Sequence, residues 1–139
     1  IEIFRKAFEA GVPFICGSES GFSVTPYGDW HYKELEVFVD KLKMTPLEAI
    51  TCATKNAAKA MRKEGILGLI APGYKADLLV IDGDPSKDVS ILGKKELIKY
   101  VILDGKEVDL TPAPERIKDP DGWRISSYSG KILKKTILK

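Results

Sequence analysis

The sequence predicts an α/β fold: a helix, a buried strand and two further helices, followed by short strands. Three observations predict it. Apolar residues recur at helical spacing over residues 1–10, and a wholly apolar run follows at residues 12–16. A clear helix start stands at Thr45-Pro46-Leu47-Glu48. Beyond Gly65, glycine and proline punctuate β-like runs, and an Asp-Gly pair joins two of them.

The first helix carries Ile1, Phe4, Ala7 and Phe8 on one face. Gly11 stands where a helix-ending glycine belongs, since glycine reaches positive φ without strain. Val12-Pro13-Phe14-Ile15-Cys16 then reads as a buried parallel strand, with Pro13 near its start, where a missing N–H is tolerated. Gly17-Ser18-Glu19-Ser20-Gly21 follows, then a polar loop with Pro26, Gly28 and Asp29. A second helix begins near His31, with Leu35, Phe38, Val39 and Leu42 as its apolar stripe. In the third, Thr45 is the N-cap, Pro46 takes the first helical position and Glu48 reaches back to the cap. Its alanines at 49, 53, 57 and 58 allow close approach to a neighbour.

Residues 76–82 read as a strand ended by Gly83-Asp84-Pro85. Residues 98–103 and 106–108 read as a hairpin around Asp104-Gly105, a type I′ turn pair. Three regions follow: 1–64, 65–110 and a basic tail, 111–139. In the tail Pro112, Pro114 and Pro120 break regular structure, and possible strand pieces lie between Trp123 and Leu138. No internal repeat is apparent.

Bulk properties narrow the function. The chain has 139 residues, starts at Ile1, is 44% apolar and 30% charged, and carries a net charge of +2. That balance fits a soluble globular protein and implies no general attraction to nucleic acid. Residues 111–139 hold seven Lys/Arg against three Asp/Glu. A basic tail can touch nucleic acid or membrane, but a solvated extension is the plainer account. Cys16 and Cys52 form neither a metal nor a redox spacing, which fits a reducing cytoplasm. No apolar run approaches membrane-spanning length.

Four residues are candidates for chemistry. Glu19, with Ser18 and Ser20, lies just past the apolar run, where parallel α/β folds gather functional groups. A carboxylate there can ligate a metal or serve as general base; capping a helix is the structural account. His31 is the only histidine, and one histidine cannot complete a hydrolytic zinc site. Contact with substrate or support of a ligand competes with a plain helix-start role. Asp77, Asp82 and Asp84 fit turn and strand-end carboxylates better than a calcium loop. Ser18, Ser20 and Ser23 form no nucleophile elbow, and no phosphate-binding or dinucleotide motif is present.

Several segments together resemble the amidohydrolase superfamily, in its imidazolonepropionase-like and prolidase-like branch. They are residues 11–20, Thr45-Pro46-Leu47-Glu48-Ala49-Ile50 with Ala53-Thr54-Lys55-Asn56-Ala57-Ala58, residues 68–81, and Val101-Ile102-Leu103-Asp104-Gly105-Lys106. The resemblance covers residues 1–108 and leaves the tail unmatched. It implies the last strand and helices of a TIM-type (β/α)8 barrel, followed by the C-terminal strands of a small β-sandwich. It also implies hydrolysis of a carbon–nitrogen bond (amide, lactam or dipeptide) in a small-molecule substrate, through water activated by a divalent metal, commonly zinc. The family's aspartate after the last strand ligates that metal and shuttles the proton; here Glu19 takes its place. The family's other ligands, paired histidines, a lysine and two later histidines, have no counterpart in this sequence. The chain alone is therefore expected to bind no catalytic metal. The resemblance also implies exposed barrel edges, to be covered by the missing barrel portion or by self-association. The alternative to a catalytic part is a non-catalytic remnant that folds by associating with itself.

Overall fold

The structure, a computed structural model, describes residues 1–21 and 30–111. The loop with Ser23, Pro26, Gly28 and Asp29, and the tail from residue 112 on, lie outside the described residues.

Helix α1 (Glu2–Glu9) ends in a paired glycine motif. The Gly11 amide donates to Phe8 O at 2.9 Å and the Val12 amide to Ala7 O at 3.0 Å, with Gly11 at φ 81°. Positive φ at Gly11 lets both amides turn back onto carbonyls the helix leaves open. Only part of the apolar face finds a partner. Phe8 packs against the core, whereas Ile1 and Phe4 are 71% and 60% exposed.

The expected strand over residues 12–16 does not form. The segment is extended, but the only sheet among the described residues is made by other strands. A strand is defined by a neighbour that pairs with its amides and carbonyls, and no described strand runs alongside. Its side chains still alternate. Phe14 and Cys16 turn to the core, while Val12 and Ile15 are exposed. Phe14 stands edge-on to Phe8 and to Phe38, at 6.2 Å between centroids in both pairs, with interplanar angles of 84° and 85°.

Helix α2 (Trp30–Leu42) begins one residue before His31 and buries Leu35, Phe38 and Leu42, with Val39 partly buried. Its expected apolar stripe is thus its packed face. Met44, Ala49, Cys52 and Val89 complete the buried core, and Leu92 packs against it. Val89 and Leu92 belong to a 3₁₀ turn (Val89–Gly93), so the later part of the chain is tied to the helices. Closeness here requires glycine: a Cβ on Gly93 would lie 2.4 Å from the Tyr32 ring.

The third helix is a composite rod of α3 (Pro46–Thr51), a π segment (Cys52–Asn56) and α4 (Ala57–Ala60). The predicted capping box is present. Thr45 Oγ1 accepts from the Glu48 amide at 3.3 Å, and Glu48 Oε2 accepts from the Thr45 amide at 2.7 Å. The wider π turn is not what the alanine pattern predicts. Thr51 and Thr54 donate their hydroxyls to the carbonyls of Leu47 and Ile50, at 2.7 and 2.8 Å. Such back-bonding competes with the backbone ladder and loosens a helix locally.

Strands β1 (Leu78–Ile81), β2 (Ile98–Leu103) and β3 (Lys106–Glu107) form an antiparallel sheet in that order. A bulge falls between Val80 and Ile81. Asp104 at φ 52° and Gly105 at φ 78° make the β2–β3 turn, as the Asp-Gly pair predicts. The three aspartates prove structural. Asp77 accepts from the Asp104 amide, Asp82 pairs with Lys99, and Asp84 holds Ser86 and Lys87. Helices and strands together give a mixed α/β fold. Among the described residues, no helix is long and apolar enough to cross a membrane.

Candidate functional site

The extended segment after α1 delivers Gly17-Ser18-Glu19-Ser20-Gly21 to the start of α2. Three of the four candidates meet there. Ser18 Oγ lies 3.0 Å from Ser20 Oγ and 3.4 Å from Nδ1 of His31, in the first turn of α2. Glu19 is exposed, between the two serines.

Glu19 has φ 46°. Three other non-glycine residues share a positive φ. Lys43 and Arg62 follow helix ends, and Asp104 sits in the hairpin turn, all places where chain reversal accounts for it. Among the described residues Glu19 adjoins no helix end and lies in no described hairpin, and a side chain in this region costs roughly 1–2 kcal/mol. Uncommon backbone of this kind clusters at functional sites.

Two residues that the sequence reading did not single out hold the segment in front of Glu19. Glu34 Oε2, on α2, accepts from the Gly17 amide at 2.8 Å. Asn56 Nδ2, in the π segment, donates to Phe14 O at 2.9 Å. Asn56 had a signal, since it lies inside the motif of residues 53–58; Glu34 had none, being one more charged residue on a helix face away from the apolar stripe.

The electrostatics beneath the segment are those of a closed interior. The Cys16 thiol is pushed up to about 12, first by burial, then by the Glu34 carboxylate and by Cys52. Burial also raises the Cys52 thiol, against the lowering effect of its contact with Asn56. Neither is poised as a nucleophile, which requires an accessible thiolate.

The donor set does not fit a catalytic metal. Such zinc sites take three protein ligands, and Glu19 and His31 are two candidates. Among the described residues, no group of three His, Cys, Asp or Glu side chains could hold an ion. Among the described residues, one surface groove lies beside Val89 and another between Phe14 and Cys52; neither is lined by Glu19, Ser18, Ser20 or His31.

Comparison with known proteins supplies the wider frame. The model of the amidohydrolase family matches residues 1–108. The chain is 30% identical over 107 residues to an ochratoxinase from Aspergillus niger, covering 76% of this chain and 21% of that protein. It is 32% identical over 103 residues to an imidazolonepropionase from Flavobacterium johnsoniae, covering 73% and 25%. The crystal structure of a Xaa-Pro dipeptidase with methionine in its active site matches with a TM-score of 0.67 at 36% identity, over 78% of this chain and 25% of that one. The chain thus spans no more than about a quarter of the length of these relatives. With that family match running over residues 1–108, from the first helix through the closing hairpin, the chain belongs to the amidohydrolase family.

Proposed function

We propose that this chain is the C-terminal part of a metal-dependent amidohydrolase that cleaves a carbon–nitrogen bond of the amide, lactam or dipeptide kind. In this reading residues 1–64 close a (β/α)8 barrel and residues 65–110 contribute strands to a small β-sandwich. Residues 12–16 then gain their ladder partners from barrel strands that this chain does not contain. That would explain why the segment is extended and alternates in burial while lying in no sheet.

One observation carries the assignment of the site. Glu19 takes up an uncommon positive φ directly after the segment that this reading takes as the barrel's last strand. Barrel enzymes gather their reacting groups at that end of the strands. Glu19 would act as general base, taking a proton from the attacking water as the new C–O bond forms. It would return that proton to the nitrogen as the C–N bond breaks. Ser18, Ser20 and His31, already linked through Ser18, would face the substrate beside it. Because the described donors do not fit a metal centre, no step is assigned to a metal on this chain. A divalent ion, zinc by family resemblance, would depend on ligands elsewhere in the barrel.

The test joins this chain to the rest of its barrel and assays an alanyl-proline dipeptide and the lactam imidazolone propionate. Turnover of one of them, lost at least a hundredfold in Glu19→Gln, is the expected outcome, in the range a general base contributes. Turnover of neither, or full activity in Glu19→Gln, overturns the reading.

A specific observation favours a second reading, a self-associating module without catalysis. Ile1, Ile3 and Phe4 on α1 are 60–81% exposed, and Val12 and Ile15 about half exposed. Patches of this kind mark surfaces meant to be covered. Sedimentation of the isolated chain decides it, since a monomer at all concentrations rules the module out.

A further inference from the structure

The segment leading to Glu19 has no sheet to hold it, yet two polar side chains from separate elements grip its backbone. Asn56 reaches across 42 positions to Phe14 O at 2.9 Å. Glu34 reaches across 17 positions to the Gly17 amide at 2.8 Å. The second contact has an ionised acceptor, the stronger kind of hydrogen bond. Its carboxylate also lies close enough to Cys16 to be the second cause, after burial, of that thiol's upward shift. The π turn supplies the first contact, because Asn56 is its last residue and Cys52, at its start, is buried in the core. A π turn within an α-helix is uncommon and tends to mark functional positions.

We propose that Glu34 and Asn56 are positioning residues for Glu19. The two contacts fix the chain at residues 14 and 17, the latter two residues before the carboxylate. They determine where the Glu19 side chain emerges and hold the backbone as it turns into positive φ. Glu34 is anchored by the buried stripe of α2, through Leu35 next to it and Phe38 one turn on, and Asn56 by the buried Cys52 and Ala58. The carboxylate's position is thereby coupled to the helix core rather than to the flexible reach of its own side chain. This inference rests on the role of Glu19 given above.

The experiment has a structural and a kinetic arm. In the isolated chain, hydrogen exchange at the Gly17 amide is measured for wild type, Glu34→Gln and Glu34→Ala. Glu34→Gln keeps a carbonyl acceptor and is expected to stay within about threefold of wild type; Glu34→Ala should exchange about tenfold faster, the scale of one lost hydrogen bond. In the chain joined to its barrel, with whichever of the two probe substrates is turned over, Glu34→Ala should lower kcat about ten- to a hundredfold with KM nearly unchanged. That is the signature of a misplaced reacting group. Glu34→Gln should restore most of the loss. Asn56→Leu, close in volume but without the donor, should show the same selective fall in kcat, and it keeps the test decisive if Glu34→Ala does not fold. Unchanged kcat in a folded Glu34→Ala or Asn56→Leu protein, with Glu19→Gln inactive, overturns the positioning role and leaves that of Glu19 standing. Full activity in Glu19→Gln removes both, whatever the Gly17 amide does.

Discussion

Asp77 Oδ1 accepts a hydrogen bond from the backbone amide of Asp104 at 2.7 Å, across 27 positions of sequence. The adjacent Gly105 amide donates to Ala76 O at 3.0 Å, and Lys75 Nζ pairs with the Asp104 carboxylate at 3.1 Å. Residues 75–77 therefore cradle the Asp-Gly turn, and two motifs far apart in sequence become one structural unit. Both turn residues need positive φ, so an acceptor that fixes the Asp104 amide favours the turn over its alternatives.

Asp77→Ala is accordingly expected to destabilise the chain by about 1 kcal/mol, the lower part of the range for a hydrogen bond to a charged group because the site is exposed. Asp77→Asn, which keeps the side-chain carbonyl, should recover most of it. Urea titration of the three proteins checks this; equal midpoints for Asp77→Ala and wild type would refute the role.

The capping box makes a second prediction, with a pH signature. The backbone and side-chain hydrogen bonds from Thr45 hold the Glu48 carboxyl below its ordinary value of 4.5. A depressed folded-state value means that the stabilisation is present above the unfolded value and is lost as pH falls through the folded one. Wild type should therefore lose stability below about pH 4.5 in part through this group, and Glu48→Gln should lose less over the same window. Thr45→Ala removes the reciprocal cap and should cost about 1 kcal/mol at neutral pH. Denaturation midpoints followed from pH 7 to pH 3 test both; an identical acid response in Glu48→Gln would contradict the assignment.

These contacts show which parts of the structure could be read in the sequence. Thr45, Pro46 and Glu48 act within four residues of one another, and Asp104-Gly105 within two, so their local chemistry decides their structure whatever surrounds them. The stripe of Leu35, Phe38 and Leu42 was legible because one helix face carries it. The strand expected at residues 12–16 does not form for the opposite reason. Its apolar run reports burial on two faces, but a strand also needs neighbours, and those are not a property of the segment itself. The same limit hid the site's support. Glu34 and Asn56 meet backbone groups 17 and 42 positions away; the motif at residues 53–58 marks Asn56 but not the group it meets, and nothing around Glu34 announces its contact. Glu19, Ser18 and Ser20 could be named because they fill one short glycine-bounded segment, and His31 because it is the only histidine, though not the positive φ of Glu19.

The cysteines give a third prediction. With the Cys16 thiol raised from 9.0 to about 12, chiefly by burial, the folded protein keeps its proton where the unfolded chain gives it up. Between those two values the unfolded state binds fewer protons than the folded one, so stability must fall as pH rises above about 9. Cys16→Ser should flatten that alkaline decline. In the native protein at pH 8, a thiol reagent should react with Cys16 and Cys52 at least about tenfold more slowly than with the urea-unfolded chain, because the thiolate is the reacting form. Rapid stoichiometric labelling of the native chain would show that the segment over residues 12–16 opens freely, against the packing described.

Zinc binding supplies the last test, and here the thiols bear on the donor count. Glu19 and His31 are short of the three ligands a catalytic site takes. Cys16 and Cys52 do not make up the number, since among the described residues no three His, Cys, Asp or Glu side chains stand together to hold an ion. Titration calorimetry of the isolated chain with zinc at pH 7 should therefore show no one-to-one site tighter than about 1 μM, equivalent to about −8 kcal/mol. Joined to the rest of its barrel, the same chain should acquire such a site, and Glu19→Gln should weaken it. A tight site on the isolated chain, abolished by His31→Ala or by Glu19→Gln, would place a complete metal centre within these 139 residues. That result would overturn the division of ligands on which the proposed function depends.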